Sequence, residues 1–247
     1  MEIKQVLIIL LLITAVSCKK PDERRCMKST GEEAILDISL ISPIDSLFLN
    51  DNFTYMLVPD SEEFIRITGG ENVIPLVQVN QSTGRIDIDN GNKCNFFRSF
   101  KKEIRLEIHV SQLRYLQYTG GGSITATDTL NTPDFRLKII DGAGPVDLTL
   151  EGGYVEAIIT QGYGDFALSG TTLEAFFLCQ TNSFCNTNDF VVTNKLTVHS
   201  NSGADMYVNA DGADFKAQIG RRGNIYYKGV PSQLTTVLLG EGQVLPQ

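Results

Sequence analysis

The chain has 247 residues, a hydrophobic fraction of 42% and a formal net charge of −8. This acidic balance argues against a nucleic-acid partner, because phosphate groups bind to cationic surfaces. It also argues against electrostatic docking to anionic lipids. Two His and no Trp leave few groups for catalysis or metal binding, whereas 22 Gly among many β-branched and aromatic residues indicate strands and tight turns.

Residues 1–17 have the organisation of a secretory signal peptide. A charged start is followed by an apolar run at 6–13 and by small residues before Cys18. The apolar run is far shorter than the roughly 20 residues that a membrane-spanning helix needs. The stretch AVSC that ends at Cys18 resembles the lipobox of bacterial lipoproteins. The resemblance implies cleavage before Cys18, a diacylglycerol on its sulfur and a further acyl chain, such as palmitate, on the new N-terminus. An ordinary signal peptide followed by a coincidental cysteine is the alternative.

Residues 18–32 are predicted to form a lipidated tether, because the stretch is too polar to pack and is interrupted by Pro21. Several acyl chains, at about 0.8 kcal/mol per buried methylene, anchor a protein to a membrane more firmly than one chain can. Lys19, rather than Asp, resembles the pattern that permits transfer to an outer membrane. We therefore expect a lipid-anchored protein of the cell envelope, on the outer membrane. Both the periplasmic and the outer side stay open.

Residues 33–118 are strand-like but irregular. Apolar and polar residues alternate in segments such as 53–58 and 104–110, and turn signals such as Gly69-Gly70 separate the segments. Because the end of a stack of strands exposes unpaired edges, proteins usually cover it. We expect these strands to cap or begin one continuous domain of residues 33–247, since no low-complexity linker divides the chain.

Turn-forming stretches recur from residue 141 onward at intervals of 20 residues. They are DGAG at 141–144, QGYG at 161–164, TNSF at 181–184, NSGA at 201–204 and RRGN at 221–224. On both sides of each break, alternate positions align in mostly apolar columns, while the positions between them are mostly polar. The columns are Phe135, Val155, Ala175, Leu196, Phe215; Leu137, Ala157, Phe177, Val198, Ala217; Ile139, Ile159, Cys179, Ser200, Ile219; Val146, Phe166, Cys185, Met206, Ile225; and Leu148, Leu168, Thr187, Val208, Tyr227.

A fixed period with alternating strands and small turn residues is typical of a solenoid, because each turn of chain buries its apolar stripe only by stacking on the next. We predict an all-β parallel β-helix with about 20 residues per rung and less regular N-terminal strands. Helical repeats are excluded by the period of two and by the Gly-rich breaks. A β-sandwich is the structural alternative, since it also has short strands, but its loops need not repeat in length.

Two cysteines, Cys179 and Cys185, fall on inward columns. We interpret them first as buried thiols of the core and second as a local disulfide in an oxidising compartment. A metal-binding pair is the weakest interpretation, because no His or second Cys pair accompanies them. Cys26 and Cys94 remain, and a disulfide between them would tie the tether to the stack.

The polar residues that could carry chemistry have simpler explanations. His199 lies near Asp205 in the sequence, but no nucleophile accompanies them, so we interpret His199 as a solvated outward residue. His109 alternates with apolar residues and is interpreted as part of the polar face of its strand. The stretch DIDNGN at 87–92 resembles the start of a calcium loop but lacks the distant bidentate Glu.

Three outward tyrosines are the candidates for a binding surface. Tyr163, Tyr207 and Tyr226 could serve as amphipathic contacts on the long face that a solenoid offers. The competing interpretation is that they are ordinary exposed residues.

Several segments carry a family resemblance. FTYMLVP at 53–59, IRITGGEN at 65–72 and GRIDI at 84–88 resemble the opening of the putative autotransporter adhesin, head GIN domain family. The Gly-x-Gly breaks and GNIYYKGVP at 223–231 resemble its repeats and its end, so the resemblance covers roughly residues 35–245. It implies a right-handed β-helix on an envelope lipoprotein of Gram-negative bacteria, with no catalytic residue to carry over. The chain departs from the pattern at 181–184 and 221–224, where Gly-rich turns would be expected.

We therefore expect a non-enzymatic envelope lipoprotein whose β-helix presents a rigid binding surface, as an adhesin does. Its expected partners are the membrane, through the lipid on Cys18, and envelope proteins or glycans. One alternative is a structural or regulatory part that binds another envelope protein. The other, less favoured, is a carbohydrate-active enzyme, which would need acidic and basic groups concentrated on one face.

Overall fold

The computed structural model describes residues 28–92 and 103–247. The strands in these ranges are β1 (Glu33–Ser39), β2 (Ser46–Leu49), β3 (Thr54–Pro59), β4 (Phe64–Gly70), β5 (Val77–Ser82), β6 (Arg85–Asn90), β7 (Arg105–Val110), β8 (Tyr115–Tyr118), β9 (Ile124–Ala126), β10 (Leu130–Ile140), β11 (Pro145–Thr160), β12 (Asp165–Thr181), β13 (Cys185–Ser202), β14 (Met206–Asn209), β15 (Asp214–Ile219), β16 (Ile225–Lys228), β17 (Gln233–Leu238) and β18 (Val244–Pro246). A short 3-10 helix at Ile74–Leu76 precedes β5.

The strands wind into a β-solenoid of about 7 turns with roughly 20 residues per turn, which confirms the all-β prediction. Two stacks of parallel strands run along it. Sheet 1 consists, in spatial order, of β6, β2, β8, the C-terminal parts of β10 to β13, β15 and β17. Sheet 2 consists of β7, β3, β9, the N-terminal parts of β11 to β13, β14, β16 and β18. The long strands β11 to β13 bend from sheet 2 into sheet 1.

The inward columns predicted from the repeat are in register. Val146 pairs with Phe166, Phe166 with Cys185, Cys185 with Met206, and Met206 with Ile225, and all are buried. The column that begins at Phe135 is likewise continuous and buried through Phe215. Because identical strand positions stack, each apolar side chain is covered by those of the turns above and below it, and water is excluded along the axis.

The irregular N-terminal strands begin the stack, as predicted, but they do not follow chain order. The turn that contains β2 and β3 lies between the turn of β6 and β7 and the turn of β8 and β9. At the same end, β4 pairs antiparallel with β7, β1 pairs antiparallel with β4, and β5 pairs antiparallel with β6. These antiparallel strands cover the edges of the parallel stacks, as an exposed edge requires.

Several predictions concern residues outside the two described ranges. They are the signal peptide at 1–17, most of the tether at 18–32, the lipidated Cys18, and the Cys26–Cys94 disulfide. Among the residues that the structure describes, no helix has the length and apolar character to span a membrane.

Candidate functional site

Three aromatic rings from successive turns lie side by side at the outer face of sheet 2. They belong to Phe184, Tyr207 and Tyr226, and we call them the aromatic ladder. The rings of Tyr207 and Tyr226 are stacked, with centroids 5.2 Å apart and an interplanar angle of 15°. The Phe184 ring lies 5.7 Å from that of Tyr207 at 50°. Phe184 is 39% exposed, so the ladder is open to solvent at this end.

Strand register places the two tyrosines of the ladder. Tyr207 and Tyr226 are directly paired on β14 and β16, and their buried neighbours Met206 and Ile225 point into the core. Alternation along the strand therefore turns both phenol rings outward. The hydroxyl of Tyr226 accepts a hydrogen bond from the Asn224 amide nitrogen at 3.3 Å, which orients the edge of the ring.

Phe184 reaches the ladder from the turn before β13 rather than from a strand. Its backbone N–H donates to Asp165 Oδ1, one turn earlier, at 2.8 Å. The sequence did not reveal this ring, because Phe184 stands where the repeat has a glycine, in a turn. The sequence offers one clue, which is that Phe184 directly precedes Cys185. Cys185 pairs with Met206, and Met206 is the chain neighbour of Tyr207.

Because the tyrosine rings stack on each other, the ladder presents ring edges and hydroxyl groups rather than ring faces. Such a strip suits a ligand that has apolar C–H groups and polar groups side by side, because apolar contacts with the ring edges and hydrogen bonds to the hydroxyl groups can form together. Of the three tyrosines singled out in the sequence, the structure brings Tyr207 and Tyr226 together. Tyr163 is 69% exposed and belongs to the turns at the border of sheets 1 and 2.

The two histidines are packed rather than freely solvated. The His109 ring stacks on Phe64 with centroids 3.9 Å apart, and His109 Nδ1 lies 3.0 Å from Asp60 Oδ2. The interpretation of His109 as a simple polar-face residue therefore missed a side chain that is only 13% exposed. His199 lies edge-on to Phe176 at 5.1 Å, and burial lowers its pKa below the usual value.

The acidic residues that were considered for catalysis or calcium binding form hydrogen bonds and ion pairs with other residues of the chain. Asp205 Oδ1 accepts the backbone N–H of Asn224 at 2.8 Å. Asp87 forms a bidentate ion pair with Arg85. Asp89 accepts a hydrogen bond from the side-chain amide of Asn50 at 2.8 Å. In residues 28–92 and 103–247, no group of three or more His, Cys, Asp or Glu side chains is placed to hold a metal ion.

Cys179 and Cys185 are both buried and both free thiols, in agreement with the first interpretation of this pair. Burial, and after it the contact with Cys179, raise the pKa of the Cys185 thiol well above its usual value. A raised pKa keeps the sulfur protonated and unreactive, since the thiolate is the nucleophile.

The solenoid is shared with solved structures of low sequence identity. A protein from Bacteroides fragilis, described as a putative adhesin, has a TM-score of 0.79 at 18% identity, over 89% of this chain and 99% of its own. A protein from Parabacteroides distasonis, described as a putative lipid binding protein, has a TM-score of 0.65 at 16% identity, over 88% and 97%. A putative adhesin from Parabacteroides merdae has a TM-score of 0.64 at 17% identity, over the same shares, 88% and 97%. At these identities, the likeness establishes the fold.

No curated protein matches the chain. A family model does match, and it extends over residues 45–231, which include the parallel turns from β2 to β16 and the whole aromatic ladder. The chain therefore belongs to the family described as "Putative auto-transporter adhesin, head GIN domain".

Proposed function

We propose that this chain is a lipid-anchored adhesin head of the bacterial cell envelope, whose β-solenoid presents the aromatic ladder as a rigid ligand-binding strip. Membership of an adhesin-head family supports the adhesive role. The signal-like residues 1–17 and the lipobox at Cys18 support export and anchoring in the outer membrane. The polar tether at 18–32 would separate the domain at 33–247 from the lipid surface, and a Cys26–Cys94 disulfide would shorten that tether.

The observation that carries the proposal is the stacking of Tyr207 on Tyr226 next to the exposed Phe184. Apolar rings at the surface cost free energy unless a partner covers them, and here three of them form one continuous strip. The backbone of Tyr207 and Tyr226 belongs to a stacked parallel sheet, so these residues lose little conformational entropy when a ligand binds. The proposed role requires binding alone, with no chemical step on the ligand.

The chemistry of the strip favours a glycan as the ligand. A pyranose ring has apolar C–H groups and a rim of hydroxyl groups, which match the apolar ring edges and the hydroxyl groups of Tyr207 and Tyr226. The amides of Asn188 and Gln247 pair with each other at 2.9 and 3.2 Å, and Gln247 also donates to the Tyr226 carbonyl. These amides add hydrogen-bonding groups beside the ladder. A structural or regulatory role through another envelope protein is the alternative that the same experiment tests.

The test uses the full chain, purified in detergent, on an array of neutral and acidic glycans. We expect binding to at least one glycan class, and we expect Tyr207→Ala to weaken it about fivefold, because an aromatic contact contributes on the order of 1 kcal/mol. Tyr154→Ala is the matched control, since Tyr154 is a half-buried tyrosine of β11 outside the ladder. An array without binding, together with capture of one defined envelope protein, would refute glycan adhesion in favour of the alternative.

A further inference from the structure

The turns between sheet 1 and sheet 2 form a shallow open groove of about 1020 Å³ next to the aromatic ladder. Its lining includes Tyr163, Asn182, Gly203, Arg221, Arg222 and Glu241. Asn182 lies two residues before Phe184 in the same turn, so this turn contributes a residue to the groove and a residue to the aromatic ladder. The lining is mainly polar.

Two adjacent cations in this groove lack acidic partners. Arg221 and Arg222 are both exposed, and neither forms an ion pair with any residue that the structure describes. By contrast, Arg66 and Arg85 each form a short ion pair with an aspartate, at 2.8 and 2.6 Å. In a chain with a net charge of −8, two neighbouring cations without carboxylate partners make a local positive site on an otherwise acidic surface.

A backbone carbonyl binds one guanidinium group, and the other packs against a glycine of the neighbouring turn. Arg221 Nη1 donates to the Thr181 carbonyl oxygen at 3.3 Å, two turns away. Arg222 lies over Gly203, where a methyl group would come within 3.2 Å of Arg222 Nε and 2.8 Å of Asn182 Oδ1. Gly203 therefore leaves room for Arg222 beside Asn182. A guanidinium held by its surroundings loses less side-chain entropy when it binds an oxyanion.

We propose that this groove binds the anionic group of an acidic saccharide, such as a uronic acid carboxylate, with Arg222 and Arg221 as donors. The inference rests on the proposed function and adds the ligand class to it. Arginine is suited to carboxylate recognition because its planar N–H groups can bond both oxygens. Tyr163 and Asn182 add a ring and an amide for the sugar, whereas a lipid chain would find few apolar groups in this open groove.

Glu241 adds a negative charge to the groove and so limits how many anionic groups of a ligand can bind there. Its carboxylate belongs to the lining of the same groove but makes no ion pair with either arginine. A single anionic group can approach the arginines while avoiding Glu241, but a dense row of anionic groups would be repelled. The arrangement therefore fits sparsely charged saccharides better than polyanions.

The experiment measures calorimetric binding of the full chain to a hexamer that carries a single galacturonic acid among neutral galactose residues, and to its methyl ester, in which the carboxylate is replaced by an uncharged ester group. We expect the acid to bind at least about tenfold more tightly than the ester, because hydrogen bonds to charged groups contribute about 1.5–3 kcal/mol. Arg222→Gln should remove most of this difference, and Glu241→Gln should tighten binding of the acid. Arg136→Gln is the matched control, since Arg136 is an exposed arginine on β10 outside the groove.

Gly203→Ala tests the geometry with the charge unchanged. The added methyl group would lie 2.8 Å from Asn182 Oδ1 and 3.2 Å from Arg222 Nε, so it should shift Asn182, move Arg222 by a few tenths of an ångström and weaken binding of the acid. Thermal unfolding of this variant checks that the solenoid persists; if it does not, Arg222→Gln still tests the anion site through the charge.

The outcomes separate this inference from the proposed function. Equal affinity for the acid and the ester would overturn the anion site while leaving the ladder as a glycan-binding strip. Binding of neither hexamer would also overturn the anion site, and only an empty glycan array would overturn the adhesin proposal as well. Binding to anionic phospholipid vesicles without binding to the acid hexamer would replace the saccharide with a lipid headgroup.

Discussion

The carboxylate of Asp205 accepts the backbone N–H of Asn224, which lies 19 residues further along the chain, with Oδ1 2.8 Å from the nitrogen. The relationship recurs along the solenoid. Asp165 accepts the N–H of Phe184, Asp211 that of Val230, and Asn224 that of Gln243, each 19 residues later. Side-chain oxygens therefore accept hydrogen bonds from backbone N–H groups at positions where no backbone carbonyl of the sheet accepts them.

Loss of one such acceptor should lower the stability of the solenoid. We expect Asp205→Ala to reduce the free energy of unfolding by about 1 kcal/mol, because it leaves the Asn224 N–H without its acceptor. Urea unfolding monitored by circular dichroism measures the change. Asp189→Ala is the control, since Asp189 is 84% exposed and lies 4.0 Å from Lys228, and it should change stability little. Equal effects of the two substitutions would contradict this account.

The turn at Thr181 stores backbone strain that a substitution can release. Asp141, Gln161 and Thr181 occupy one position in three successive turns, with φ values of 53°, 63° and 66°. A β-branched residue is disfavoured in this left-handed conformation, whereas Asn tolerates it. We expect Thr181→Asn to raise the free energy of unfolding by about 0.5–1 kcal/mol. Thr235→Asn in β17 is the control, because it relieves no such strain and should not raise the free energy of unfolding. An equal rise in both variants would refute the explanation.

Buried phenols should make the fold sensitive to alkaline pH. Tyr118 is buried and donates to the Gly122 carbonyl oxygen at 2.6 Å, and burial raises its pKa from 10.0 to about 12. Burial raises the pKa of Tyr55 in the same direction. Above pH 10 the unfolded chain releases the phenolic proton first, while the folded chain keeps it until about pH 12. The contribution of Tyr118, present in full below pH 10, should therefore be lost as the pH rises through this window.

Urea midpoints measured between about pH 8 and pH 12 test this expectation. Tyr118→Phe should flatten the alkaline decline and cost about 1 kcal/mol at neutral pH through the lost hydrogen bond. The exposed Tyr163→Phe should leave the slope unchanged. A slope that Tyr118→Phe does not alter would show that other groups govern the alkaline loss.

The proposed lipid anchor depends on the sulfur of Cys18. We expect Cys18→Ser to abolish diacylglycerol attachment, so that the chain stays unprocessed or leaves the membrane fraction. Fractionation of cells and the mass of the N-terminal peptide measure the result. Cys26→Ser is the matched control, since it removes another cysteine near the N-terminus and should leave the lipid in place. Unchanged membrane retention and peptide mass in Cys18→Ser would refute lipidation.

The repeat made the interior of the solenoid predictable from the sequence. Val146, Phe166, Cys185 and Met206 are buried in one column because a strand turns alternate side chains to opposite faces and each turn has nearly the same length. The fold class and the inward positions therefore depend on local periodicity, which a single sequence contains.

Contacts between distant segments were decided by the tertiary structure alone. The insertion of β2 and β3 between later turns depends on which strand edges are free, and no local pattern encodes that choice. The register of β13 against β12 shifts near Ala167 and Thr172, so a residue of β13 does not always pair with the residue of β12 that lies one fixed repeat length before it in the sequence. Phe184 beside Tyr207, and Arg222 over Gly203, are consequences of how the turns align in space. The proposed binding surface thus depends on contacts between turns that only the tertiary structure aligns, whereas the core positions follow from the repeat in the sequence.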